Sequence, residues 1–268
     1  MQPKLRLEEL PPVARTLIIS MGYRAIESQR PDAMIRDEQA AQLLACFDFD
    51  IHSLAKKDVD QVFTMMRARH LDQAANKFLW QHQGGIVVDI GCGLDARYKR
   101  LTDTQARWFG LDFPEVIAAR QSLFVDGPYA TLISGSVLDL AWMDQVAREN
   151  FPVIFLAEGV FPYLIETDIQ RLVLGLCQQF PGSELVFDGM SHFFVWLHGH
   201  NPALKKAQVH LNWGIDDPHE LEAWSPGIHL LDDWDYFQDC EPRVGISNLM
   251  RFIPLFARCN LVLHYKLG

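Results

Sequence analysis

Between residues 11 and 83 the apolar positions recur at helical spacing. Leu17, Ile18 and Met21 form one such set, and Leu71, Ala74, Ala75, Phe78 and Leu79 form another, so the stretch reads as helical. Asp48, Phe49 and Asp50 read as a connection between the two. At Gly84-Gly85 the period changes. Ile86-Val87-Val88-Asp89-Ile90 is a short β-branched run that ends in glycine, as expected of a buried strand in a parallel sheet. Similar runs follow at 108–112, 131–134, 153–157 and 184–188, with helical stretches between them, for example at 115–124 and 167–180. Strand and helix alternating in this way predict a doubly wound α/β sheet with helices on both faces. After Gly189 the pattern breaks. Residues 192–222 are aromatic-rich and aperiodic, punctuated by Asn201-Pro202 and Asp217-Pro218, and read as a lid or substrate-facing insertion. An alternating stretch at 229–237, a helix at 247–257 and a last strand at 261–265 complete the chain. This closing pair of strands departs from a symmetric dinucleotide-binding fold.

The first strand runs into Asp89-Ile90-Gly91-Cys92-Gly93-Leu94-Asp95. Gly91 and Gly93 let the main chain adopt positive φ and let a ligand approach it closely. In open α/β sheets ligands bind at this edge, beyond the carboxyl ends of the strands. The loop also satisfies the loose pattern Gly91-x-Gly93-x-x-Ala96, with an acid about 20 residues on, so a nicotinamide cofactor fits it as well as another nucleotide does. Asp112, ending the second strand, is placed to accept both hydroxyls of a ribose. Asp139, after the third strand, is placed for an adenine amine or for capping the next helix. Glu158 ends the fourth strand after four apolar residues. A carboxylate there needs a partner, either the ammonium of an amino-acid ligand or an internal arginine.

Composition narrows the class. Of 268 residues 49% are hydrophobic and 22% charged, as in an ordinary globular enzyme. A net charge of -10 gives no basic excess to drive counterion release from nucleic acid. The five cysteines are scattered without a CxxC pair, which suits reduced thiols better than a disulfide framework or a structural zinc. The first residues carry charges where a secretion signal needs its apolar core, and no apolar run approaches the roughly 20 residues that span a bilayer. The expectation is a cytoplasmic enzyme that needs no metal, contacts neither membrane nor nucleic acid, and acts on a small molecule.

Four segments, in order, carry a family resemblance. Val87-Val88-Asp89-Ile90-Gly91-Cys92-Gly93-Leu94-Asp95-Ala96-Arg97-Tyr98-Lys99-Arg100-Leu101 resembles the first motif of the leucine carboxyl methyltransferase family, in its tetracenomycin-type polyketide O-methyltransferase branch. Gly110-Leu111-Asp112-Phe113-Pro114-Glu115-Val116 resembles the ribose motif of that family. Glu158-Gly159-Val160-Phe161-Pro162-Tyr163-Leu164 resembles its E-G-V-x-x-Y-L motif, and Arg67-Ala68-Arg69-His70-Leu71-Asp72 its A-R-T-R-x-x-D helix. Arg24-Ala25-Ile26-Glu27 and Trp213-Gly214-Ile215-Asp216-Asp217-Pro218 extend the likeness over nearly the whole chain. Ala96 departs from the usual threonine.

The resemblance implies a class I methyltransferase fold: a Rossmann-like seven-stranded sheet with an N-terminal helical cap over residues 1–83, a core over 84–268 and an insertion at about 190–227. It implies an S-adenosylmethionine-dependent O-methyltransferase, with S-adenosylhomocysteine as product, acting on a carboxylate or phenolic hydroxyl of a small, polyketide-like metabolite. A protein C-terminal carboxylate as acceptor and an NAD(P)-dependent reductase are the competing readings. Carried over by motif, Arg67 and the Gly91 backbone would hold the methionine carboxylate. Asp112 and Phe113 would hold the ribose, Asp139 and Leu140 the adenine, and Glu158 and Gly159 the ammonium. Asp89, Gly91 and Gly93 would bind the cofactor along the loop, and Tyr163, the candidate catalytic residue, would line the acceptor pocket. His192, His198, His200 and His210 are candidate bases, and Trp196, Trp213 and Trp224 candidate walls, on an insertion whose pattern does not rank them.

Overall fold

The computed structural model describes residues 12–44, 58–103, 105–123, 126–200 and 210–268. The predicted connection at Asp48-Phe49-Asp50, and Asn201-Pro202, lie outside them. Three helices lead the chain: α1 (Pro12–Ser28), α2 (Glu38–Leu44) and α3 (Asp58–Gln81). The sheet then unfolds as β1 (Ile86–Ile90), β2 (Arg107–Asp112), β3 (Ala130–Ser134), β4 (Val153–Ala157), β5 (Glu184–Met190), β6 (His229–Asp235) and β7 (Asn260–Lys266). Helices α4 (Pro114–Leu123), α5 (Met143–Ala147), α6 (Glu166–Gln179), α7 (His192–Gly199) and α8 (Pro254–Ala257) connect them.

The seven strands lie in the order β3-β2-β1-β4-β5-β7-β6. Strands β1 to β5 pair in parallel, and β7 runs antiparallel between β5 and β6. Ligands in such a sheet bind where the order reverses, beyond β1 and β4. All five residues of β1 and of β4 are buried, because helices cover both faces. Ile86, Val88 and Ile90 of β1 face one core with α6, which contributes Ile169, Leu172, Val173 and Leu176 at helical spacing. Val87 faces the other core, with Leu71, Ala75, Phe78 and Leu79 of α3.

The two-residue period of a strand decides what happens next. Asp89 shares the face of Val87, Glu158 continues the face of Ile154 and Leu156, and Asp188 that of Val186. Asp112 likewise continues the face of Trp108. Four strands therefore deliver four carboxylates to one face, at one end, under α3.

Two expectations change. Residues 192–199 are helical, because Ser191 caps α7 by accepting from the Phe194 N–H; the run Phe193 to Leu197 lacks a polar face that would show as a period. The helix expected at 247–257 is instead a 3₁₀ stretch, Pro242–Phe252, followed by the one-turn α8. Gly245, at φ 62 and ψ -135, kinks the first, and Pro254 starts the second afresh.

Candidate active site

Beneath α3 lies a connected network of buried ions. Arg97, on the 3₁₀ turn Arg97–Lys99 that follows the glycine loop, is 1% exposed. It donates to Asp72 Oδ1 of α3 at 2.7 Å, to Asp89 Oδ1 of β1 at 3.0 Å, and to Glu158 Oε2. Arg67 of α3 meets Glu158 Oε1 at 3.0 Å and Asp188 Oδ2 at 3.0 Å. Asp188 Oδ1 in turn accepts from the Gly159 N–H. Arg100 holds Asp72 and Asp95, and Arg24 of α1 holds Asp37 while lying 3.6 Å from Asp95. Four guanidinium groups thus face six carboxylates, an excess of two negative charges.

The protonation behaviour follows. Burial pushes the Asp89 carboxyl up to about 6 against the pull of Arg97. Burial likewise raises Asp188 in spite of Arg67. Glu158 goes the other way. Burial works to raise it, but Arg67 and Arg97 together hold it below the usual carboxylate range. Asp89 keeps one oxygen, Oδ2, buried without a hydrogen-bond partner, which is an invitation to a donor.

The glycine loop sits beside this network. Gly91 and Gly93 have φ of 70 and 50, and a Cβ on Gly91 would lie 2.5 Å from Val160 Cγ2. Asp112 folds back onto the loop, its Oδ2 accepting from Gly93 N–H and its Oδ1 from Phe113 N–H, both at 2.8 Å. Burial still leaves the Asp112 carboxyl raised. Each oxygen retains a lone pair for a further donor. Phe113 stands 47% exposed at the mouth. Gly159 also takes positive φ, 66, with Arg67 Nη2 3.8 Å from where its Cβ would be.

Other expected residues take plainer positions. Asp139 is exposed and accepts from the Ala141 N–H at 3.3 Å, capping the turn Leu140–Trp142. Tyr163 is 48% exposed on the turn Phe161–Tyr163, and burial of its hydroxyl end raises its pKa. Trp213 is packed among Phe161 and Phe187 in the core, Trp224 is half-buried against it, and Trp196 is exposed. His198 and His200 bond the carbonyls of Phe194 and Trp196 one turn back, and His192 lies 3.2 Å from Asp216.

Several site residues escape a reading by motif alone. Asp188 carries the same signal as Glu158, an acid closing an apolar strand. Asp72, Asp95, Arg97 and Arg100 stand inside the quoted motifs, yet only the fold reveals them as one network. Tyr236, just past β6, is buried beside Arg67, with which it hydrogen bonds. Burial pushes its phenol well above the ordinary value.

A family model described as leucine carboxyl methyltransferase matches residues 17–176. The tetracenomycin polyketide synthesis O-methyltransferase TcmP of Streptomyces glaucescens is 29% identical over 261 residues, 94% of this chain and 96% of that protein. The S-adenosyl-L-methionine-dependent methyltransferase dpfgK of Gibberella zeae is 28% identical, covering 80% of this chain and 78% of its own. Among solved structures, a duf574 family protein from Streptomyces avermitilis superposes with a TM-score of 0.59 at 13% identity, over 93% of this chain and 97% of that one. A SAM-dependent methyltransferase from Anabaena variabilis gives 0.53 at 12% identity, over 82% and 96%. At such identities the likeness concerns the fold.

Proposed function

The chain belongs to the leucine carboxyl methyltransferase family, and from that premise we propose that it moves a methyl group from S-adenosylmethionine to an oxygen of a small metabolite, a carboxylate or a phenolic hydroxyl. It is an S-adenosylmethionine-dependent methyltransferase, and the nicotinamide reading of the glycine loop falls away with that membership. The observation that carries the site assignment is the pair of surplus negative charges beside Gly91 and Gly93. S-adenosylmethionine, with a sulfonium and an ammonium against one carboxylate, brings one net positive charge to that excess.

The residues fit such a group. Asp89 Oδ2 is a buried acceptor in want of a donor, and Gly91 cannot carry a side chain without striking Val160. Asp112 would hold the ribose through its free lone pairs, with Phe113 at the mouth. Glu158 and Gly159 would take the ammonium and Arg67 the carboxylate. The Gly91 N–H is already donated to the Leu111 carbonyl at 2.8 Å, so the Gly91 backbone offers its carbonyl, which suits the ammonium and not the carboxylate. Asp139 and Leu140 would face the adenine. When bound, S-adenosylmethionine supplies a methyl group on a sulfur already activated to leave. The protein's share of the work is then alignment and exclusion of water.

A carboxylate acceptor is ionised at neutral pH and needs no base. His198 bonds the Phe194 carbonyl and His200 the Trp196 carbonyl through Nδ1, and His192 Nδ1 lies 3.2 Å from Asp216, so each keeps Nε2 for the proton of a phenol, while the carboxylate reading needs none of them. Tyr163 would then donate to an acceptor oxygen at the rim. The test incubates the protein with methyl-labelled cofactor and a metabolite extract, then treats the product with mild alkali. Label released as methanol marks an ester. Label that survives marks an aryl ether and overturns the carboxylate, and no transfer at all overturns the activity.

A further inference from the structure

Helix α4 buries Val116, Ile117 and Arg120 on one face. An arginine among apolar neighbours is costly unless its donors are met. Arg120 is 0% exposed, and its guanidinium is met on every side. Nε and Nη2 fork onto the Asp126 carboxylate at 3.0 and 2.6 Å, while Nη1 donates to the carbonyls of Gly93 at 3.0 Å and Asp95 at 2.7 Å. Its carbon Cζ lies 5.0 Å from the Trp108 ring centroid. Two carbonyls of the glycine loop, two residues apart, therefore point at one nitrogen that belongs to neither the loop nor the strand before it.

We propose that Arg120 is a positioning residue for the cofactor loop, clamping Gly93 and Asp95 by their carbonyls while Asp112 holds Gly93 by its N–H. This rests on the cofactor reading given above. The Gly93 residue is gripped at both of its peptide groups, N–H side and carbonyl side, in a left-handed conformation that a free glycine would leave readily. The grip also reaches Asp112 through the shared Gly93, so releasing Arg120 loosens the loop and the ribose carboxylate together. Asp126 fixes the guanidinium plane and completes the chain of contacts from the end of α4 to the loop. A lysine keeps the charge but cannot fork onto Asp126 and bond two carbonyls at once.

The experiment uses the full chain and four proteins: wild type, Arg120→Lys, Arg120→Met and Asp126→Asn. Titration calorimetry with S-adenosylhomocysteine measures affinity, initial rates give KM and kcat for S-adenosylmethionine, and amide exchange follows Gly93 and Asp95. The expected result is a Kd raised about tenfold in Arg120→Lys, more in Arg120→Met and about threefold in Asp126→Asn, with KM rising in step and kcat within about twofold. Exchange at Gly93 and Asp95 quickens in Arg120→Lys while protection in β1 and β4 is kept. Wild-type affinity and exchange in Arg120→Lys would overturn the proposal, as would a uniform loss of protection with kcat falling alongside affinity. Should Arg120→Lys not fold, Asp126→Asn decides by the same two readouts. Failure of the wild type to bind S-adenosylhomocysteine would instead sink the cofactor reading, and the exchange measurement would still report on the clamp.

Discussion

Replacing Gly91 by alanine isolates the physics of the loop in a single methyl group. The new Cβ meets two obstacles. At φ 70 an L-residue with a Cβ is strained by about 1–2 kcal/mol. The methyl would also stand 2.5 Å from Val160 Cγ2, an overlap of the kind that costs about 1–3 kcal/mol in a packed interior. Val160 is β-branched and cannot simply turn away, since its other rotamers are restricted. The sum, about 2–5 kcal/mol, should appear as lower stability and as weaker binding, because the loop can relieve the overlap only by leaving the position from which it meets a ligand. The two parts separate in a double-mutant cycle. Val160→Ala removes Cγ2 and so the overlap, but leaves the dihedral strain. Urea unfolding of wild type, Gly91→Ala, Val160→Ala and the double variant should give a double variant about 1–3 kcal/mol more stable than the two single effects predict. Calorimetry with S-adenosylhomocysteine should show partial recovery of affinity in the same protein. Effects that add within about 0.5 kcal/mol would refute the steric account. A Gly91→Ala protein of wild-type stability and affinity would refute the whole of it.

Other perturbations test the charged groups. Asp112→Ala should weaken S-adenosylhomocysteine binding at least about tenfold, roughly 1.4 kcal/mol, and an unchanged calorimetric Kd would remove Asp112 from the site. Arg67→Ala takes from the buried Asp188 its guanidinium partner and leaves the buried Glu158 to Arg97 alone. A loss of about 3–5 kcal/mol, or about 10 °C in Tm, is expected by calorimetric scanning, and a loss near zero would contradict the pairing. Asp89 binds its proton more tightly in the fold, at about 6, than in the unfolded chain, near 3.8. Its contribution to stability is therefore complete below pH 4 and lost as the pH rises through 6, about 3 kcal/mol in all. Asp89→Asn should remove that slope, so wild-type and variant unfolding energies that run parallel from pH 4 to 7 would count against it.

Much of the sheet is legible in the chain because buried parallel strands announce themselves as apolar runs closed by glycine or acid. The run at 153–157 coincides with β4, and the first strand with β1, to the residue. Legibility fails where local and tertiary forces disagree. Phe193 to Leu197 is apolar throughout, so nothing in its pattern distinguishes the helix α7 from an irregular insertion. The expected closing helix at 247–257 breaks at Ile253, extended at φ -101 and ψ 111 before Pro254, where the apolar period runs on through the proline. In the site, Asp112 and Glu158 stand out from position alone. That Glu158 is shared between Arg67 and Arg97, residues 91 and 61 positions away, depends on which strand faces carry even and odd residues and on where α3 crosses them. Asp188 closes the apolar run of β5 as Glu158 closes that of β4, and both meet Arg67.

The ion network under α3 also bears on how such a protein drifts in sequence. Arg97 lies within salt-bridge distance of four acids and Arg100 of three, and the acids are shared among the arginines. Loss of Arg97 or Arg100 leaves several buried carboxylates short of a cation at once, whereas loss of one acid leaves each arginine with others. Change at the arginines is therefore expected to need compensating replacements among the acids. Variation is expected to fall more readily on the exposed rim around Tyr163 and on α7, away from Arg97 with its four acids. If the network holds the methyl donor as proposed, acceptor preference can change at the rim while the donor site is kept.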